Sequence, residues 1–384
     1  MPMPALSIQI LEAADAIPRM AWSRLAPPGD PFLNADFLGI VERHGVAGAD
    51  WGWLARHLVA TDEDGGIVGI LPLYLRFNSH GDFIHDWSWA AAYRQLGRAY
   101  YPKLLSGLPH TPATGPRLLV AEGPQAVSIR HALIDGALAL AAGDEVSSWH
   151  VAFPAEADRE ALAAAGMLIS HNVQFQWIDN GCGDFDGYLA GFAAEKRRKV
   201  RAERRKVAES GLSIEVRHGN EVDPAEWPAL HALYASTFDK FGNHAVFTAA
   251  CFADLAHALG RRMVVFIARD GLRPVAVSLC FRSDDTLCGR YWGCSGQYHS
   301  LHFELCFYQG IAYCLREGLT RFEPGAGGEH KIARGFTPTV VHSAHWIADP
   351  AMHRLIGRHL ATQGDAVATY RDQAAGHLPF RCEN

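Results

Sequence analysis

Two stretches of this chain repeat one another, and the repeat limits the folds open to it. Asp64-Gly65 precedes the apolar run IVGILPLYLR, which ends at Arg76, and Asp270-Gly271 precedes RPVAVSLCFR, which ends at Arg282; Asp and Arg are 12 residues apart each time. An Asp-Gly pair between apolar runs is a hairpin signal. Further on, a long apolar helix pattern containing Gly136 leads to the strand-like 149–153, and a second containing Gly310 leads to 319–322. Two matches in the same order imply a duplicated unit of helix, antiparallel strands, helix and strand. Each unit is then an α+β layer on one sheet. At 384 residues the chain is long for a single core, and the expected division is 1–180 and 181–384.

Composition narrows the classes of function. Hydrophobic residues make up 49% and charged residues 20% of the chain, a globular balance. The net charge of −6 excludes DNA binding by bulk charge, so an anion site has to be a local cluster. The eight cysteines, Cys182, Cys251, Cys280, Cys288, Cys294, Cys306, Cys314 and Cys382, include no C-x-x-C pair. They read as free buried thiols of a reducing compartment, neither a disulfide frame nor a zinc ribbon. No basic start precedes an apolar run at the N-terminus, so no secretory leader is expected. No apolar run approaches the ~18 residues of a membrane span, and the expected location is the cytoplasm.

Position along the chain picks out polar residues that packing does not account for. The stretch 292–336 reads as a strand end, a long buried helix, a short strand and the turn PGAGGEHKIARGF. Charged residues straight after a buried strand sit where function tends to sit. Gly325, Gly327 and Gly328 permit positive φ and close backbone approach. Glu329, His330 and Lys331 offer an acid, a titratable base and a fixed cation, and with Glu323 they are the candidate catalytic residues. Lys331 and Arg334 would neutralise a carboxylate or phosphate. Glu323 or Glu329 would take the proton that a cationic amine must lose before it attacks. An exposed polar turn is the other reading of the same residues.

Several residues are candidate substrate contacts: His299 and His302 in H-S-L-H, Arg290 in the preceding strand, Asp239 and His244 in FDKFGNH, and Lys103 and His110 in the first half. Cys294, His299, His302 and Glu304 lack a known four-ligand spacing, so no metal is assigned to them. No G-x-S-x-G elbow is present, which sets aside a serine hydrolase.

A basic helix is expected over about 187–210, stopped by Gly211. At about 100° per residue, Arg197, Arg198, Arg201, Arg204 and Arg205 share an arc of about 120°. Glu195 and Glu203 fall outside the arc, within reach of Lys199 or Lys206. The five arginines form either a phosphate-binding rail or a face that is solvated or bridged to acids of the first unit. Beside them Leu189, Ala193, Val200 and Val207 make the stripe that would dock the helix.

The basic KRRKVRAERRK resembles the helix that separates the two units of the Fem aminoacyl-transferases, and the segments DWSWAAAY, YYPKL, LPHTPATGPRL, FEPGAGGEHKIARGF and SAHWI resemble, more closely, a bacterial FemAB-like family related to peptidoglycan biosynthesis or recognition. The resemblance spans nearly the whole chain. It implies tandem GNAT-like (acyl-CoA N-acyltransferase) domains, each a mixed, mostly antiparallel sheet flanked by helices, with a cleft between them for an amine acceptor. It implies an N-acyltransferase that moves an acyl or aminoacyl group by direct attack, or a non-catalytic relative that binds a cell-wall precursor. No tightly bound cofactor is implied; acyl-CoA as co-substrate and tRNA as donor carrier both stay open. CoA-binding members carry R/Q-x-x-G-x-G/A before the long helix, where this chain reads GCSGQYHSL from Gly293.

Overall fold

The computed structural model describes residues 6–381; the first five residues, where the N-terminal reading begins, and Cys382 lie outside them. The chain forms two compact units. Unit 1 holds the residues up to Pro27, Phe32–Asn172 and Val340–Thr369; unit 2 holds Pro28–Pro31, Val173–Thr339 and the residues from Tyr370 on. This departs from a contiguous division after residue 180. The reason is strand pairing late in the chain: Ser343 to Ile347 lie antiparallel to Ala152 to Ser148, so residues near the C-terminus complete the sheet of unit 1.

Unit 1 opens with β1 (Ser7–Leu11), α1 (Arg19–Leu25) and α2 (Ala35–Arg43). Asn34 caps α2, its side chain accepting from the Phe37 amide at 2.8 Å. β2 (Trp53–Ala55) and β3 (His57–Thr61) lead to the expected turn, and β4 (Ile67–Leu71) and β5 (Tyr74–Arg76) return antiparallel. The aromatic-dense stretch then forms α3 (Trp87–Gln95), whose Trp89 and Tyr93 are buried beside Tyr100, Met352, Ile356 and Leu360. β6 (Lys103–Ser106) and β7 (Leu119–Val120) flank the proline-rich loop, which is irregular as expected but mostly buried. Arg117 satisfies that loop from inside, donating to the Ala113 and Ala152 carbonyls at 2.6 and 2.9 Å.

α4 (Ala126–Gly143), β8 (Ser148–Ala152), α5 (Glu156–Ala164) and β9 (Leu168–Ile178) follow. α4 has 18 residues and a mean hydropathy of 1.3, which makes it long and apolar enough to cross a membrane and corrects the expectation that no such run exists. In this fold Ile129, Leu133, Ile134 and Ala137 of α4 are buried in one cluster with Leu58, Leu71, Leu104 and Trp149.

In unit 2, α6 (Phe185–Ala190) and α7 (Ala194–Ala208) replace the single basic helix expected over about 187–210. The break falls at Gly191-Phe192. Phe192 turns into the core against Tyr188 and Phe380, and the Ala193 amide bonds to the Pro379 carbonyl instead of continuing the helix. β10 (Ser213–His218), α8 (Trp227–Lys240), α9 (Ala249–Leu259), β11 (Met263–Asp270), β12 (Arg273–Arg282) and β13 (Thr286–Cys294) come next. β10 to β13 form an antiparallel run in chain order. The long helix comprises α10 (Leu301–Phe303), a π turn over Glu304–Tyr308 and α11 (Gln309–Glu317). β14 (Arg321–Glu323), a 3-10 turn over Glu329–Arg334, β15 (Thr337–Ile347) and α12 (Pro350–Ala375) complete the chain. β9 and β15 each carry residues of both units.

One connection recurs in the two units. In unit 1, β6 leads through the short β7 and α4 to β8, parallel to β6, with Leu104 opposite Trp149. In unit 2, β13 is followed by the long helix and then by β14, parallel to β13, with Leu287 opposite Phe322. Gly310 permits the second arrangement, because a Cβ there would overlap the Phe322 ring.

Candidate functional site

Two irregularities shape the end of β13. Leu279 faces Tyr291 and Cys280 faces Gly289, so Arg290 is an inserted residue that bulges the strand. β14 pairs with β13 only from Thr286 to Cys288. Beyond that point β14 ends, and Pro324 passes close to Gly289. α8 packs against the far end of β13; Gly293 allows it, since a Cβ there would overlap the Leu233 carbonyl. The Thr237 hydroxyl then donates to the Trp292 carbonyl at 2.7 Å.

An open cavity of about 760 Å³ lies where these elements meet. Thr237 and Lys240 of α8, Trp292 and Cys294 of β13, and His299 and His302 border it. His299 is exposed on its rim, bonded to the Ser300 hydroxyl at 2.7 Å. His302 stands against Trp292 at 5.3 Å between ring centroids and against His330 at 6.0 Å. Phe303 and Phe307 complete the group, 5.9 and 5.6 Å from the His330 ring. Burial, followed by the charges of neighbouring basic groups, lowers the His302 pKa to about 4 and lowers that of His330 as well. Both imidazoles are therefore uncharged at neutral pH.

The glycine-rich turn is held from within. Lys331 is buried, and its ammonium donates to the Gly325 carbonyl at 2.6 Å and the Ala326 carbonyl at 3.4 Å. Burial lowers its pKa to about 8. Arg334 is also buried: it reaches both Glu203 carboxylate oxygens, at 2.9 and 3.0 Å, bonds the His330 carbonyl at 2.7 Å and stacks 3.4 Å from the Phe303 ring centroid. The Tyr308 hydroxyl donates to the same Glu203. Glu323 is buried at the end of β14 and accepts from Gln176 at 3.1 Å. Glu329 is exposed and accepts from the Tyr370 hydroxyl at 2.8 Å.

The structure thus gathers His302, His330 and Arg334 around Phe303 and Phe307, while Lys331 is tied to the carbonyls of the turn. Arg290 lies on the bulge, with its guanidinium carbon 5.2 Å from the Tyr291 ring centroid. Asp239 and His244 are exposed at and beyond the end of α8 and do not border the cavity, whereas Lys240 between them does. Lys103 and His110 belong to unit 1. Lys103 is fully buried between Asp82, at 2.7 Å, and Asp86, and His110 bonds the Val46 carbonyl at 3.1 Å beside Trp53. Both residues act there as internal ties.

The arginine arc divides. Arg204 makes a forked contact to buried Glu304, at 3.1 and 3.2 Å, over the Phe185 ring. Arg197 bonds the Phe192 carbonyl at 3.3 Å. Arg198, Arg201 and Arg205 remain exposed, Arg201 within 3.8 Å of Asp186 and Arg205 within 3.7 Å of Glu209. The acids that answer the arc come from unit 2, not from the first unit. Glu203 was missed as an inward group. Its signal is spacing, since it falls on the Val200–Val207 stripe at i+3 and i−4.

Comparison with known proteins adds a family and a fold. The chain matches the FemAB-like family, described as peptidoglycan biosynthesis/recognition, over residues 13–382. The crystal structure of FemX superposes with a TM-score of 0.53 at 12% identity, covering 91% of this chain and 100% of that one. The C-terminal domain (DUF2156) of a putative lysylphosphatidylglycerol synthetase from Agrobacterium fabrum superposes with a TM-score of 0.54 at 11% identity, covering 91% and 96%. At these identities the likeness is one of fold alone, a mixed α+β arrangement rich in antiparallel strands. No curated protein matches the chain significantly.

Proposed function

We propose, on the premise that the chain belongs to the FemAB-like family of peptidoglycan biosynthesis/recognition, that unit 2 transfers an acyl or aminoacyl group from a thioester or ester to an amine. The observation that carries this reading is the bulge of β13 at Arg290, just past the last residue that pairs with β14, with an open cavity at the far end of the bulged strand. An acyl carbonyl laid along β13 beyond its bulge would meet backbone N–H donors suited to an oxyanion. The amine attacks that carbonyl, the C–N bond forms, and the C–S or C–O bond to the carrier breaks. The amine proton passes to a base and the leaving sulfur or oxygen takes up a proton, so the step is balanced without a covalent enzyme intermediate.

His302 and His330, held uncharged, accept hydrogen bonds from the incoming amine, with Glu323 and Glu329 as the acids nearest in sequence to take its proton. His299 and Lys240 contact the bound group at the rim. Lys331 and Arg334 shape the turn and orient His330 from behind. Acyl-CoA and aminoacyl-tRNA are both admitted as donors, and the exposed Arg198, Arg201 and Arg205 are available to a phosphate-bearing carrier. A peptide or small-molecule amine is the acceptor, and the cytoplasm is where both donors are made.

A binding protein without turnover is the second reading. It is favoured by the engagement of Lys331 and Arg334 in internal bonds, which removes both cations expected to clamp a substrate. A mass-spectrometric assay with acetyl-CoA or alanyl-tRNA and a lysine-containing muropeptide separates the two. Transfer is expected, with His302→Phe lowering kcat by roughly 10²-fold, the lower range for a lost proton-handling group. Intact donor after prolonged incubation, together with saturable acceptor binding, would establish the binding protein instead.

A further inference from the structure

Unit 1 contains a smaller cavity, of about 200 Å³, that the transfer reading does not use. Four imidazoles border it, His85, His171, His342 and His359, together with Ser170 and Gln363. No lysine, arginine, aspartate or glutamate is among the described residues that line it. Phe83, Trp89 and Phe153 give it apolar walls. Three of these lining residues have left-handed backbones, Phe83 at φ 58, His85 at φ 61 and Phe153 at φ 50, out of six such non-glycine residues among those described. Bulky residues adopt that conformation at a cost, and such positions cluster at ligand sites.

A hydrogen-bond chain behind the cavity fixes what Ser170 presents to it. The Tyr100 hydroxyl donates to Asp86 at 2.5 Å. Its oxygen lies 3.0 Å from His150 Nε2, a nitrogen that is also 2.9 Å from the Ser148 hydroxyl and 3.6 Å from Asp86; the ionised carboxylate favours a proton on that nitrogen, which then donates. Burial keeps His150 and His345 uncharged, which leaves His150 Nδ1 bare. His345 Nδ1, 2.9 Å away, must then be protonated and donate to it. His345 Nε2 is therefore bare, and the Ser170 hydroxyl, 2.8 Å from it, gives its proton inward. Ser170 Oγ offers the cavity lone pairs alone. Asp86 anchors this direction because Lys103 holds it ionised, well below the usual carboxylate range, against the cost of its burial.

The second histidine pair adds the complement. His171 Nδ1 and His342 Nδ1 are 3.0 Å apart, and burial lowers both pKa values. With both rings neutral, one Nδ1 donates to the other. The pair then has one Nε2–H donor and one bare Nε2 acceptor. A cavity lined without lysine, arginine or carboxylate, with mixed donors, acceptors and aromatic walls, suits a ligand whose own groups both donate and accept. Hydroxyls around a ring with apolar C–H faces have that character.

We propose that this cavity of unit 1 binds an uncharged saccharide ring, with Ser170 accepting from a sugar hydroxyl. The site stands independently of the transfer reading of unit 2. Saturation-transfer NMR on the full chain tests it with N-acetylglucosamine and glucose, against glucosamine and glucuronate, which place a charge on a similar ring. The neutral sugars are expected to bind at least about tenfold more tightly than the charged ones, the scale of leaving one buried polar partner unmatched. Ser170→Ala and Gln363→Ala are each expected to weaken binding about tenfold with Tm little changed. A preference for N-acetylglucosamine over its β-1,4-linked tetramer identifies a free sugar as the ligand, and the reverse preference identifies the end of a glycan. The proposal is overturned if the charged analogues bind as well as the neutral ones. It is equally overturned if no neutral sugar binds at millimolar concentration, or if both variants bind like the native chain.

Discussion

Glu203 shows how one residue can tie a unit together. It lies mid-helix in a strongly basic run, yet it is buried and meets Arg334 through two oxygens and Tyr308 through one. Removing one partner of a buried pair leaves the other charge uncompensated, a loss of about 3–5 kcal/mol. Glu203→Leu is therefore expected to lower the unfolding free energy on that scale in urea, whereas Arg205→Ala, on an exposed pair, should change it by about 0.5 kcal/mol or less. The buried histidines give a second prediction at this scale. The pKa of His302 is about 4 in the folded chain, below its ordinary value of 6.5, so between these two pH values the unfolded state binds more protons than the folded one. Stability should rise with pH across that window and fall on acidification from 6.5 to 4. Urea midpoints measured at both ends should draw closer together in His302→Asn; an unchanged gap would refute the assignment.

At the scale of elements, the packing of α8 on β13 and of α11 on β14 depends on close approaches that only glycine allows. Gly293→Ala puts a methyl into the Leu233 carbonyl, and Gly310→Ala puts one into the Phe322 ring. Both are expected to destabilise by about 1–3 kcal/mol, the range for overpacking. Gly293→Ala should in addition displace α8 from β13 and weaken binding at the 760 Å³ cavity, which α8 borders through Thr237 and Lys240. A comparison of Tm with ligand affinity separates the two effects. Duplicated elements were legible in the chain because Asp-Gly turns and apolar runs are local signals. The break between α6 and α7 was not, since helical periodicity continues through Gly191-Phe192 and only the pull of Phe192 into the core interrupts it. The histidine-lined cavity of unit 1 was equally hidden. Ser170, His171 and His342 to His345 alternate along two strands, and alternation states which residues share a face, not which cavity that face meets.

Over the whole molecule, the interleaving of segments makes its own prediction. Unit 1 takes Val340–Thr369 from near the end of the chain, and with it the part of β15 that pairs with β8. Residues 1–180 alone lack that strand, leaving β8 with an unpaired edge and part of the buried cluster around Met352, Ile356 and Leu360 missing. Such a fragment is expected to show no cooperative thermal transition by circular dichroism, and adding residues 340–369 through a flexible linker should restore one.

The sequence by itself determined the recurring hairpin, the long apolar helix and the strand behind it, the α+β class and the family, because these are written in turns, periodicities and whole segments that act locally. The tertiary structure decided which polar residues could serve a ligand. Charge in a sequence has no direction: Lys331, Arg334, Arg204 and Lys103 all read as outward cations. Folding turned each of them inward to a carbonyl or carboxylate, because burying any of them without a partner would have cost more than the fold could bear.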